Sequence, residues 1–156
     1  LVALDQLVKF WAEHSLSQVD TIALIPGVFH LTYVQNFGAA FNTMNNQRLL
    51  LVVLTSAVLL VIFVLLLLGK LRSPWMVVSW SLILAGGAGN LIDRLVREGG
   101  YVVDLFDFRL INFPVFNVAD ICVTVGMALF LIYFIFIERK EHRRFEIRQE
   151  IKRHEQ

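Results

Sequence analysis

The chain has 156 residues, 57% of them apolar, and its 9 glycines add about 6% more, against ~45–50% for the same residue set in soluble domains. Charged residues make up only 17%, and seven of the 14 basic and five of the 13 acidic ones fall in 138–156. This composition excludes a disordered chain, a disulfide-stapled secreted scaffold and an ordinary cytosolic enzyme, and it leaves a polytopic membrane protein. The net charge of +1 says nothing as a total, but the placement of Lys and Arg fixes orientation across a bilayer.

In chain order, residues 1–14 open with an apolar stretch that carries Asp5 and Lys9 and has no initiator Met. It is expected to be the later part of a first helix whose opening residues are absent, and not a signal peptide. Residues 15–46 are too polar to sit in lipid. Val28 to Tyr33, after the Pro26-Gly27 turn, alternates like a strand with Phe29, Leu31 and Tyr33 on one face. Leu49 to Leu68 is twenty residues without a charge, enough for about 30 Å of helix, and predicts a span over roughly 47–69. Trp75 to Ile92 predicts a third helix over 75–96. Val115 to Ile137, with Pro114 suited to the opening turn, predicts a fourth over 114–137.

The expected fold is an all-α polytopic membrane protein with four transmembrane helices and a small extracytoplasmic β-rich segment. A membrane-embedded unit would cover 1–137 and a charged cytoplasmic tail 138–156. The short basic connector Gly69-Lys70-Leu71-Arg72-Ser73-Pro74 and the tail residues Arg139, Lys140, Arg143 and Arg144 put both ends in the cytoplasm, so 15–46 and 97–113 lie outside. Arg94, Arg97 and Arg109 break that rule and call for pairing with nearby acids.

A charge in a bilayer costs at least ~2.5–3.5 kcal/mol and needs a partner, so the intramembrane acids require explanation. A helix starting at Pro114 would carry Asp120 about 9 Å below its outer end, with Asn117 one turn before it on the same face. Asn90 and Asp93 share a face near the outer end of the third helix, after the small-residue surface Gly86-Gly87-Ala88-Gly89 that would admit another backbone. Past it, Tyr101-Val102-Val103-Asp104 reads as an apolar strand ending in an acid. Topology thus gathers Asp93, Asp104 and Asp120 at one membrane level.

Each acid alone is explained as well by a structural pairing as by a role in a site; all three together are not. Two adjacent carboxyl groups share one proton, so that one can take a proton from water while the other donates to a carbonyl oxygen, as in aspartic proteases. Metal and nucleophile schemes fare worse: there is no H-E-x-x-H or C-x-x-C, the four histidines are scattered, and Cys122 reads as a packed core residue. Asp5 and Lys9, at i and i+4, are placed to pair. A rival reading is an ion-coupled small transporter that uses the same acids as a relay.

Five blocks in order carry a resemblance: Asp5-Gln6-Leu7-Val8-Lys9, Asn36-Phe37-Gly38-Ala39-Ala40-Phe41, Gly86 through Arg94, Val102-Val103-Asp104, and Phe116-Asn117-Val118-Ala119-Asp120. Together they resemble the lipoprotein signal peptidases (signal peptidase II), bacterial inner-membrane aspartic proteases. The resemblance implies that Asp104 and Asp120 are the catalytic pair, which charge arithmetic alone could not choose over Asp93. It also implies that Asn36, Gly38, Asn90, Asp93, Arg94, Asn117, Asp5 and Lys9 bind substrate or support the site; nothing in the pattern elevates Asp107. The implied substrate is a diacylglyceryl-modified prolipoprotein cut just before its lipidated cysteine near the periplasmic face. No metal or other cofactor and no nucleic acid is implied, membrane lipids surround the protein, and a monomer is expected. Residues 36–46 are expected to form a mobile cover over the pair.

Overall fold

The computed structural model describes residues 1–19, 21–38, 47–71, 73–138 and Arg153. Most of the charged tail and most of the expected cover, 39–46, therefore lie outside the described residues. Helix α1 (Val2–Trp11) runs into a π-helical turn, Ala12–Leu16. The hairpin β1 (Thr21–Ile25) and β2 (Phe29–Asn36) follows, turning at Gly27 with φ +74°, a conformation glycine adopts without penalty. Next come α2 (Arg48–Leu67), α3 (Pro74–Val96), β3 (Val102–Phe108) and α4 (Val118–Ile132), the last continued by a π-helical stretch at Tyr133–Glu138.

Three of these helices, Arg48–Leu67, Pro74–Val96 and Val118–Phe136, are long and apolar enough to cross a membrane. Helix α2 has no Gly or Pro inside it and stops at Leu68 and Gly69, the latter left-handed at φ +59°, after which Pro74 opens α3 at its first turn. Its large side chains point mostly outward, Leu49, Leu60 and Val61 among them, which is the inverse of a soluble helix. The expected first span has ten α-helical residues, fewer than the other three.

Glycine sets the packing of α3. A Cβ on Gly86 would run into the Ala119 carbonyl of α4, one on Gly87 would lie 2.6 Å from the Leu59 side chain of α2, and one on Gly89 would lie 2.5 Å from the Asp5 carboxylate of α1. The small-residue face is therefore already occupied by α1, α2 and α4, and the backbone it admits is that of α4 at Ala119. Lower down, Ser79 donates to the Gly126 carbonyl at 2.7 Å, sealing α3 to α4.

The sheet has the order β1-β2-β3, antiparallel throughout. Val103 and Leu105 pack with Ala12 and Leu16 in a buried cluster that ties β3 to the end of α1. Asp104 lies in the middle of β3 and does not end it. The β2–β3 register passes from Leu31 opposite Phe106 to Val34 opposite Asp104, so β2 carries one extra residue there. Side chains alternate faces along a strand, and this bulge turns Asn36 onto the face of Asp104; an unbroken ladder would have put it on the other side.

Helix α4 starts later than Pro114 implied. Residues 113–116 stay out of the helix because Phe116 pairs with β3, its carbonyl accepting from the Leu105 and Phe106 N–H groups at 3.0 and 2.8 Å and its own N–H donating to the Phe106 carbonyl at 3.1 Å. Asn117 is the N-cap. Asp120 is consequently the third residue of the helix, at its mouth, and not a turn and a half inside.

Candidate active site

The cap of α4 builds half of the site. The Asn117 Oδ1 accepts the Asp120 N–H at 2.9 Å, and Asp120 Oδ2 accepts the Asn117 N–H at 3.2 Å, a reciprocal capping box. A third orphan donor of the same helix end, the Ala119 N–H, goes to Asp5 Oδ1 of α1 at 2.9 Å. With its oxygen committed to the cap, the Asn117 amide can offer only Nδ2 to the rest of the site. It donates to Asp104 Oδ1 at 2.6 Å and to Asn90 Oδ1 at 3.1 Å.

Strand β2 supplies the other donor to Asp104. Asn36 Oδ1 accepts from the Gly38 N–H at 2.9 Å, which leaves Asn36 Nδ2 to donate to Asp104 Oδ2 at 2.9 Å. On α3, Asn90 Nδ2 donates to Asp120 Oδ1 at 2.8 Å. Asp104 and Asp120 are thus linked through the amides of Asn117 and Asn90, and both line a cavity of about 540 Å³ together with Asn36, Asn90 and Arg94. Apart from Thr124 its remaining wall is apolar, including Val102, Phe116, Ile121 and Val125, and it extends along α4 where Ile121 and Val125 are also exposed on the outside of the bundle.

Asp104 is 2% exposed. Burial pushes its carboxyl up to about 7; the Asn36 and Asn117 hydrogen bonds pull the other way, and the Asp120 charge adds to the rise.

Behind Asn90 lies a fully buried ionic cluster. Lys9 Nζ sits 2.9 Å from Asp5 Oδ2, 2.9 Å from Asp93 Oδ2 and 2.8 Å from Asn90 Oδ1, so its three donors have three acceptors. Asp5 and Lys9 do pair as their spacing predicts. Asp93, however, is held by Lys9, by Gln6 and by Arg97 at 3.3 Å rather than by Arg94. Arg94 donates instead to the Gly38 carbonyl at 2.7 Å and the Asn90 carbonyl at 3.2 Å. Of the three arginines expected to find acids, Arg97 meets Glu13 and Asp93 and Arg109 meets Asp107, while Arg94 is satisfied by backbone.

Some participants escaped the sequence reading. Gln6 bridges Asp5, the Gly89 carbonyl and Asp93, and Glu13 holds both Arg97 and the Tyr101 hydroxyl. Residues 5, 9 and 13 stand at successive i+4 steps, so the periodicity that pairs Asp5 with Lys9 also selects Glu13. Asp107, by contrast, bonds to Thr32 and Arg109 on the opposite face of β3 from Asp104.

Residues 1–136 match the family model described as Signal peptidase (SPase) II. The chain belongs to the signal peptidase II family. Among curated relatives, a lipoprotein signal peptidase of Streptococcus thermophilus is 43% identical over 142 residues, covering 91% of this chain and 92% of that one. Another, from Nostoc punctiforme, is 45% identical over 129 residues, 83% of this chain and 80% of the relative. A bacterial membrane enzyme structure obtained by the in meso method at 2.3 Å resolution superposes with a TM-score of 0.79 at 29% identity, covering 86% of this chain and 82% of that one. As a signal peptidase II this protein is a protease of lipoprotein processing, and its three long apolar helices fit a membrane enzyme.

Proposed function

We propose that this signal peptidase II is an aspartic endopeptidase whose dyad is Asp104 and Asp120, and that it removes the signal peptide from diacylglyceryl-modified prolipoproteins just before the lipidated cysteine. The observation that carries the reading is the pair of carboxyl groups on one cavity wall, joined through Asn90 and Asn117. Between them the pair holds one proton. The ionised carboxylate takes a proton from water as its oxygen attacks the scissile carbonyl carbon, and the protonated partner donates to the carbonyl oxygen. The resulting diol collapses with proton transfer to the departing nitrogen, so one water is consumed and the carbon–nitrogen bond breaks. Asn36, Gly38, Asn90, Arg94 and Asn117 frame the pair in this scheme, and Asp5, Lys9 and Asp93 support it.

The apolar wall along α4, from Ile121 to Val125, gives a lipid-anchored peptide a sideways route to the dyad. The acyl chains stay in hydrocarbon while the peptide bond enters the polar end. In this reading α1, with Leu4, Leu7 and Phe10 exposed, belongs to a fourth span. The sheet lies on the periplasmic side of the inner membrane, both termini face the cytoplasm, and the unit of action is one chain. A transmembrane relay has nothing to stand on: the charged residues of the three long helices are Arg48, Asp93, Arg94 and Asp120, at the start of α2, the end of α3 and the start of α4, which is one end of the bundle.

The test is mass analysis of a lipidated prolipoprotein before and after incubation with the enzyme. Asp104→Asn and Asp120→Asn should each lower turnover by about 10²–10⁴-fold or more, with helical content kept. Appreciable cleavage by either variant removes the dyad assignment.

A further inference from the structure

The ionic cluster behind the site is more than a staple, because one of its members fixes the direction of an amide that touches the dyad. An asparagine side chain has an acceptor end and a donor end, and turning it by half a rotation exchanges them. Asn90 Oδ1 receives two donors, Lys9 Nζ at 2.8 Å and Asn117 Nδ2 at 3.1 Å. Lysine has no acceptor at all, so an inverted Asn90 would point its Nδ2 at two donors and lose both bonds. The amide is locked with Nδ2 toward Asp120 Oδ1.

Asp120 is otherwise served by the Asn117 backbone N–H, which cannot invert, and by the positive end of the α4 dipole. Every fixed neighbour therefore offers it a donor and none offers an acceptor for a carboxyl proton. Asp104 likewise receives only amide donors, from Asn36 and Asn117, but it is the more secluded of the two, 2% exposed, and it lies in a strand with no helix end behind it. The charged groups facing Asp120 are Asp104 from β3, Arg94 from α3, and Lys9 and Asp5 from α1.

Building on the dyad reading, we propose that Lys9 is a positioning residue: by holding the Asn90 amide in one orientation it keeps Asp120 the proton acceptor, the general base, and leaves the shared proton on Asp104. The proton then finds its acceptor only on the cavity side, toward Asp120 or a bound carbonyl. Lys9 makes its hydrogen-bond link to Asp120 through Asn90, its charge also faces that carboxylate, and its bonds to Asp5 and Asp93 hold its own position.

The experiment compares pH profiles of kcat/KM on a lipidated prolipoprotein for the parent, Lys9→Met, and Lys9→Met with Asp93→Asn, the second change removing one acid left without its cation. Freed from Lys9, Asn90 can invert and accept from a protonated Asp120. The acid limb should then move up by about one pH unit, and kcat should fall about tenfold to a hundredfold with KM within about threefold. A folded variant of either kind whose acid limb stays in place overturns the proposal, since a structural support would lower the active fraction without moving the limb.

Should neither variant fold, infrared difference spectra at about pH 6 on Asp104→Asn and Asp120→Asn decide the same point. The protonated-carboxyl stretch of the parent should disappear in Asp104→Asn and persist in Asp120→Asn; the reverse sinks the assignment. Turnover by either aspartate variant would instead mean that the dyad reading itself has failed.

Discussion

Asp104 illustrates how a strand residue becomes a titratable group of unusual strength. It sits in mid-β3 because Val102, Val103 and Leu105 on either side are buried, and that burial brings its carboxyl out of water with them. Its folded pKa near 7 lies above the ordinary 3.8, so the folded protein holds this proton more tightly than the unfolded chain does. The associated stability is fully present below pH 3.8 and is lost as the pH rises through about 7. Asp104→Asn abolishes that dependence. The melting temperature of the variant, relative to its parent, should climb between about pH 4 and pH 8, by an amount equivalent to at most about 4 kcal/mol because Asp120 shares the titration. Thermal unfolding in detergent at the two pH values measures it; a pH-independent difference would contradict the burial argument. At this scale the sequence showed which acids need partners, and it gave the partners that lie one helical turn away, Lys9 for Asp5 and Asn117 for Asp120, but not the distant ones. That Asp93 needed a counterion was readable, but that Lys9 and Arg97 rather than Arg94 provide it depends on helix rotation.

Between residue and fold stand the elements whose joints set the site. Residues Gly86, Gly87 and Gly89 could be recognised as a close-packing face from sequence alone, but not what packs there. The occupants, α1, α2 and α4, come from distant parts of the chain, and no local pattern encodes that choice. Since the Ala119 carbonyl fills the space beside Gly86, Gly86→Ala must displace the first turn of α4, which carries Asp120. An overpacked contact costs about 1–3 kcal/mol, so the variant should melt lower and lose activity together. Gly69→Ala, in the connector beyond the opposite ends of α2 and α3 with nothing near its added methyl, should cost only about 1–2 kcal/mol for its left-handed backbone and keep kcat. Equal effects on kcat would mean that the α3–α4 contact does not position Asp120. Two other joints were invisible in the sequence for the same reason. The bulge that turns Asn36 toward Asp104 and the pairing of Phe116 with Phe106 are tertiary events, and the second overrode the helix-opening preference of Pro114.

For the molecule as a whole, composition points to a membrane environment, and the proposed orientation rests on charge placement. Apolar content alone identifies Arg48–Leu67, Pro74–Val96 and Val118–Phe136 as candidate spans, while the ten-residue α1 is too short for that test and is readable as a helix from its apolar opening and the i, i+4 pair Asp5 and Lys9. The charged residues of the long helices gather at one end of the bundle, beside the sheet, and Lys70 lies in the connector at the other. With Lys70 cytoplasmic, as proposed, the proposed dyad and the sheet would lie together on the outer side. Glu98 and Lys70 are both exposed, and the native Cys122 is buried, so single cysteines at the two positions report orientation with little background. Applied to intact cells with a permeable outer envelope, a membrane-impermeant maleimide should label Glu98→Cys and leave Lys70→Cys untouched until the inner membrane is opened. Labelling in the opposite order would put the cavity on the cytoplasmic side and overturn the proposed route for a substrate whose lipid lies in the outer leaflet.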